Sequence, residues 1–109
     1  MSFEDRLCAA VRSVLPESAP GTYEGNSLIY ATWNYNELGK LHAEGMPGII
    51  LYLVHVHVCL PKGYPWAEIR SKMRQALFNL GGTWPEIIDA SDKGGEHLVF
   101  EFEAAEGNG

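Results

Sequence analysis

The segment that most constrains the fold is the apolar run Ile49–Pro61, with the sequence IILYLVHVHVCLP. Its alternation predicts a β-strand, because successive side chains of a strand point to opposite faces of a sheet. One face is apolar throughout and is expected to lie in the core: Tyr52, Val54, Val56 and Val58. The other face begins with Leu51 and Leu53 and turns polar at His55 and His57. This pattern is typical of a sheet whose second face is only partly covered, by solvent or by another subunit.

Two helices are predicted from apolar residues that recur at intervals of three and four. In Ser2–Leu15 this stripe consists of Phe3, Leu7, Ala10, Val11 and Val14. Ser2 and Asp5 have the spacing of a capping box, in which each side chain satisfies a backbone N–H of the other residue. The second helix has Pro65 in its first turn, and the glycine pair 81–82 ends it. Its stripe consists of Trp66, Ile69, Met73, Ala76, Leu77 and Leu80.

Strands are predicted before and after the second helix. β-Branched and aromatic residues indicate strands at Ser27–Tyr35 and Ile49–Leu60, separated by the long polar loop Asn36–Gly48. The residues before Ser27 are rich in Pro and Gly and are expected to form a loop. After the second helix, a short strand is predicted in TWPEIIDAS, where Pro85 restricts it to a sheet edge or to a strand start, and a last strand covers residues 96–104. The last strand points Leu98, Phe100 and Phe102 inward, and His97, Val99, Glu101 and Glu103 outward.

The order helix, strand, strand, helix, strand, strand predicts an αββαββ two-layer sandwich of the α+β class. In this arrangement an antiparallel sheet carries both helices on one face. Residues 1–104 are expected to form a single α+β domain, and the low-complexity residues 105–109 a flexible C-terminal tail.

Composition argues against several classes of protein. The net charge is −6 and the eight Lys and Arg residues are scattered, whereas binding to a polyanion requires clustered positive charge. The longest apolar run is too short to cross a bilayer, and the first residues do not have the pattern of a secretory signal. Cys8 and Cys59 are far apart and form no zinc-type or disulfide pattern. Neither nucleic-acid recognition nor a membrane location is expected.

The histidines leave a metal site open as an alternative. Side chains two residues apart on a strand share one face, so His55 and His57 could both ligate zinc, with His97 as a third ligand. Cys59 could add a thiolate. The other interpretation is a polar half-face at a sheet surface. We predict no metal, and keep a small metal-binding protein or enzyme as the alternative.

No catalytic arrangement is predicted. Each cysteine would need a partnered histidine and an oxyanion donor to act as a nucleophile. Glu101 and Glu103 share one strand face, but paired acids must flank a cleft to cleave a glycoside. The chain also lacks a nucleophile elbow, a P-loop and a dinucleotide fingerprint. We therefore expect no catalytic residue, no cofactor and no enzymatic activity.

Three stretches carry a resemblance to a known group of proteins: SLIYATWNYNE, MPGIILYLVHVHVCLPKGYPW and FNLGGTWPEIIDASDKGGEHLVFEFEA. Together they span Ser27 to Ala104 and resemble the short minor tail and neck proteins of tailed phages and prophages. Members of this group are of the tail-completion, tail-terminator or head–tail joining type. The resemblance does not distinguish these three roles.

The resemblance implies a small non-enzymatic α+β subunit that forms a homo-oligomeric ring, often a hexamer, at the end of a tail tube or at its joint with the head. Tail-tube or head–neck proteins would be its partners, and DNA would pass through the ring without specific binding. The location would be the virion, or the host cytoplasm during assembly. The half-polar strand face and the long loop would supply the subunit interface, with Leu51, Leu53, His55, His57, Glu37, Lys40, His42 and Glu44.

Overall fold

The computed structural model describes residues 2–41 and 49–107 of the chain. The α+β class predicted from the sequence is confirmed. In chain order the elements are α1 (Phe3–Val14), β1 (Ser18–Pro20), β2 (Tyr30–Leu41), β3 (Ile49–Leu60), α2 (Ala67–Phe78), β4 (Glu86–Asp89) and β5 (Glu96–Gly107). None of the helices in the described ranges is both long enough and apolar enough to cross a membrane.

The sheet contains five strands in the order β1-β2-β3-β5-β4. All neighbouring pairs are antiparallel except β1 and β2, which run parallel, so the sheet is mixed where the sequence predicts an antiparallel one. The peptide N–H of Ala31 donates to the carbonyl of Glu17 at 3.0 Å, and that of Gly21 donates to the carbonyl of Trp33 at 2.8 Å. The sequence does not predict strand β1, because so short a segment between prolines carries no readable periodicity.

Strand β2 continues well beyond the predicted end of its segment at Tyr35. It pairs with β3 as far as Leu41, with a register shift between Glu37 and Gly39. The predicted loop Asn36–Gly48 is therefore wrong for residues 36–41. These polar residues form a strand because β3 supplies their hydrogen-bonding partners, which overrides their local preference. The remainder of the predicted loop lies outside the described residues.

The helix ends match the local sequence signals at the start of α1 and after α2, but not at the start of α2. The Asp5 peptide N–H donates to Ser2 Oγ at 3.1 Å and the Ser2 peptide N–H donates to Asp5 Oδ2 at 3.4 Å, so the predicted capping box is confirmed. Helix α2 begins at Ala67, so Pro65 precedes the helix and does not lie in its first turn. After α2, Gly81 has a positive φ of 88°, as predicted for the residue that ends this helix.

Both helices pack against one face of the sheet and form a single apolar core with it. From the helices, Phe3, Leu7, Val11, Met73 and Leu77 are buried. From the strands, the inward faces predicted for β3 and β5 are confirmed: Val54, Val56, Val58, Leu98, Phe100 and Phe102 are buried. Phe3 stacks on Tyr52 with ring centroids 4.4 Å apart. Strand β5 runs on to Gly107, through residues 105–107, which the sequence assigns to a flexible tail.

Candidate functional site

The second face of the sheet has no helix packed on it within the described ranges, and we call it the open face. Strand register places three pairs from β3 and β5 at its centre: His55 with Glu101, His57 with Val99 and Cys59 with His97. Strand β2 contributes Asn34 opposite His55 and Thr32 opposite His57. The prediction that His55 and His57 lie on the partly covered face of β3 is confirmed, because both side chains are half-buried there.

His55 forms a hydrogen bond with Glu101 across the β3–β5 pair. Its Nε2 lies 2.8 Å from Glu101 Oε2. Both side chains are partly open to solvent, so the contact contributes at most about 1 kcal/mol to folding. Its principal effect is to give His55 a fixed orientation on the open face.

His57 contacts a second histidine, His97 of β5. His57 Nδ1 lies 2.9 Å from His97 Nε2, and the ring centroids are 5.1 Å apart. One ring must donate its N–H and the other must accept with a lone pair, so at most one of the two rings is protonated on both nitrogens. Burial lowers the pKa of His57, and the nearby His97 and His55 lower it further. His57 is therefore held neutral at the centre of the open face.

Cys59 and Tyr30 extend this cluster towards the end of the sheet. The peptide N–H of His97 donates to Ser91 Oγ and its carbonyl accepts from the Ala90 N–H, so neither group bonds to β3. His97 and Cys59 are therefore a non-hydrogen-bonded pair of the β3–β5 ladder, in which the side chains lie close together. The Cys59 thiol, next to the Tyr30 hydroxyl, raises the pKa of Tyr30. A depression of about 270 Å³ adjoins the cluster, with Tyr23, Tyr30, Thr32, Asn34, His57 and His97 in its wall.

The structure brings only part of the predicted metal triad together. His57 and His97 are in contact, whereas His55 is turned to Glu101. Within residues 2–41 and 49–107, no group of three His, Cys, Asp or Glu side chains is close enough to hold a metal ion. Zinc sites in proteins use at least three protein ligands. The metal alternative stays a prediction that would need a further ligand at the His57–His97 pair.

The other predicted interface residues fall into three groups. Leu51 and Leu53 lie half-buried on the open face, as expected, and Glu37 is exposed at the register shift in β2. Lys40 lies on β2 near its end. His42 and Glu44 lie outside the described residues.

Three exposed apolar residues lie at positions that the sequence does not single out: Phe78, Trp84 and Ile88. The rings of Phe78 and Trp84 pack against each other, with centroids 5.2 Å apart. Phe78 ends α2, Trp84 precedes the edge strand β4, and Ile88 lies in it. Their exposure depends on which strand is outermost in the sheet, and neither periodicity nor composition gives that order. The available signal in the sequence is Pro85, which indicates an edge strand beginning next to Trp84.

Comparison with models of known protein families gives no match, and a search of curated proteins gives none either. The function of this chain must therefore be inferred from its own residues and geometry.

Proposed function

We propose that this protein is a non-enzymatic structural subunit of a phage or prophage particle, of the tail-terminator, tail-completion or head–tail joining type, which assembles into a ring. The observation that carries the proposal is the open face. It is built on three strands of 12 residues, and half-buried leucines and histidines of β3 share it with carboxylates of β5. A broad, partly apolar surface of this kind is typical of a site where another protein packs.

The shape of the subunit supports this role. Its principal extents are 52 × 23 × 20 Å. A 12-residue helix spans about 18 Å and a 12-residue strand about 40 Å, so the strands continue beyond the helical layer. The result is an elongated slab with one covered and one open side. Such subunits can be arranged around an axis and still present the same face to a tail-tube or neck protein.

The overall charge of the chain agrees with a ring through which DNA passes. The chain has 14 Asp and Glu residues against 8 Lys and Arg residues, a net charge of −6. A subunit with this balance would repel a DNA backbone. DNA could pass such a ring without being retained.

Leu53→Arg tests whether the open face is the surface used in assembly. Leu53 lies opposite Glu103 on the open face, so an arginine has a nearby carboxylate and the monomer should still fold. We expect a folded monomer that no longer enters particles, because the long arginine side chain would clash with a partner packed on this face and burying its charge would cost free energy. The measurement is the yield of joined head–tail particles when the variant replaces the wild-type protein in the phage or prophage that encodes it.

Ala9→Arg is the matched control for Leu53→Arg. Ala9 is exposed on α1, on the opposite side of the molecule from the open face, so the same side chain there should leave the particle yield unchanged. Normal particle yield with folded Leu53→Arg would contradict the proposal.

One observation favours a second candidate, a metal-binding protein. The ring nitrogens of His57 and His97 converge at 2.9 Å, and a transition metal could replace the hydrogen bond between them. The discriminating measurement is the zinc content of the purified protein, with His57→Ala as the comparison. The assembly proposal predicts no stoichiometric zinc in either protein. One zinc per chain that is lost in His57→Ala would replace it with the metal-binding function.

A further inference from the structure

One ridge of α2 carries an unusual series of aromatic and arginine side chains. Trp66, Arg70, Arg74 and Phe78 follow one another at intervals of four, which places them in a row along the helix. The Arg70 guanidinium carbon lies 5.3 Å from the centre of the Trp66 ring, and that of Arg74 lies 5.2 Å from the Trp84 ring. Phe78 packs edge-to-face against Trp84 at 5.2 Å. We call these five residues the aromatic–arginine ridge.

The ridge is partly exposed, with Trp66 and Arg74 half-buried, and it is held in place before any partner binds. Phe78 is 41% exposed and Trp84 48%. Arg74 Nε donates to the carbonyl of Pro85 at 2.7 Å, which fixes the guanidinium against Trp84. Tryptophan and arginine dominate the binding energy of protein interfaces, and side chains that are already ordered lose little entropy on binding.

The opposite side of the sheet has complementary properties. There three exposed acids lie along the β1–β2 edge: Glu17 precedes β1, Glu24 follows it, and Glu37 lies in β2. Leu38, next to Glu37 in the chain, is 51% exposed. Beyond Trp33, the outer side of β2 has no strand partner in the described part of the chain. We call these four residues the acidic flank. The sheet order places β2 and β4 near opposite edges, so the ridge and the flank face away from each other.

The ridge carries positive charge and the flank negative charge, although the chain as a whole is acidic. Three of the eight basic residues lie close together on α2: Arg70, Lys72 and Arg74. Lys72 is paired with Glu68 at 2.8 Å, which leaves the two ridge arginines as the cations turned to the aromatic rings. Opposite charge and exposed apolar groups on two different sides of one subunit are the requirement for head-to-tail contact between copies.

We propose that the aromatic–arginine ridge of one copy docks against the acidic flank of the next copy. This inference rests on the proposed ring function and names the lateral contact of that ring. A contact between two different surfaces is heterologous and closes into a ring when its rotation allows it. The flank lies at one edge of the sheet and the ridge at the other, where Trp84 borders the open face beside Leu53 and Glu86. The part of the open face on β2 and β3 remains free for a tail-tube or neck protein.

A charge exchange between the two surfaces tests the contact directly. Arg70→Glu and Glu37→Arg each place like charges against each other, so each variant alone should self-associate at least about tenfold more weakly than wild type. An equimolar mixture should regain the lost association. In an alternating arrangement, the new carboxylate on the ridge of the first variant meets the new guanidinium on the flank of the second, and the remaining contacts are wild type. Sedimentation velocity over a concentration series gives the measurement.

Two variants control for net charge. Lys93→Glu and Asp92→Arg make the same charge changes in the exposed turn between β4 and β5, outside the ridge, the flank and the open face, and they should leave self-association unchanged. Circular dichroism and thermal unfolding of all four variants verify that each is folded.

Four results would overturn the lateral contact. The first is self-association of Arg70→Glu as strong as that of wild type, and the second is an equimolar mixture that does not regain association. The third is wild-type protein that stays monomeric at about 1 mM. The fourth is binding of an oligothymidylate to the protein that Arg70→Glu abolishes without any change in self-association. Each leaves the ring function to be judged by the particle yield of Leu53→Arg. A normal yield there would remove the proposed role of the open face in particles even if the lateral contact were found.

Discussion

At the scale of single residues, the contact between His57 and His97 links stability to pH. Burial and the neighbouring imidazoles lower the pKa of His57 in the folded protein, so the unfolded chain binds its proton more readily. The contribution of neutral His57 to the free energy of unfolding is fully present above the pKa of histidine in the unfolded chain, about 6.5. It is lost as the pH falls towards the lowered folded pKa, because protonation then favours unfolding.

We expect His57→Gln to reduce the loss of thermal stability on acidification. The variant no longer has a titrating ring at position 57, so the fall in Tm from pH about 7.5 to pH about 5 should be smaller than in wild type. Differential scanning calorimetry at the two pH values measures this difference. His55, His97 and Glu101 adjoin this ring and remain in both proteins, so equal slopes would mean that His57 does not carry the effect.

The residues of the open face can be predicted from sequence, whereas their contacts cannot. The alternation in β3 is enough to place His55 and His57 on one side, because this depends only on neighbours in the chain. The contacts of His57 with His97 and of His55 with Glu101 join residues 40 and 46 positions apart, and they depend on the register between two strands. Periodicity within one strand contains no information on that register.

At the scale of secondary-structure elements, those that depend on residues close together in the chain can be predicted, and those that depend on a distant strand cannot. Helix α1 and its capping box follow from residues within one turn of each other, and the sequence predicts both. Strand β1 and the second half of β2 exist because a neighbouring strand supplies hydrogen bonds, and the sequence predicts neither. The glycine pair after α2 lies between these cases. Gly81 supplies the positive φ expected of it, but Gly82 has a different role.

Gly82 is required because the backbone of β5 passes directly beside it. It bridges to Ala104, and a Cβ at this position would collide with the carbonyl oxygen of Glu103. We expect Gly82→Ala to lower the free energy of unfolding by roughly 3 kcal/mol, since neither backbone can move without breaking strand pairing. Gly63→Ala is the comparison.

Gly63 has a positive φ, but a Cβ there would meet open space, so its replacement should cost about 1 kcal/mol. Urea unfolding of the two variants gives both values. Equal losses would show that the close approach at Gly82 is relieved by small shifts of the chain.

At the scale of the whole molecule, the fold separates three surfaces with different chemistry. The open face mixes apolar, histidine and carboxylate side chains, the aromatic–arginine ridge is cationic, and the acidic flank is anionic. They lie on different sides of one chain of 109 residues. Such a division allows a small subunit to contact copies of itself and a different protein at the same time, which is what our two proposals require of it.

The position of β5 between β3 and β4 also determines when this chain can fold during translation. β4 has no partner in the described sheet other than β5, and the inward side of β3 packs beside Leu98, Phe100 and Phe102. Until residues 96–107 have left the ribosome, the apolar side of β3 and both helices have no complete layer to close against. The nascent chain therefore remains open to chaperones until β5 emerges, and the sheet cannot be completed before then.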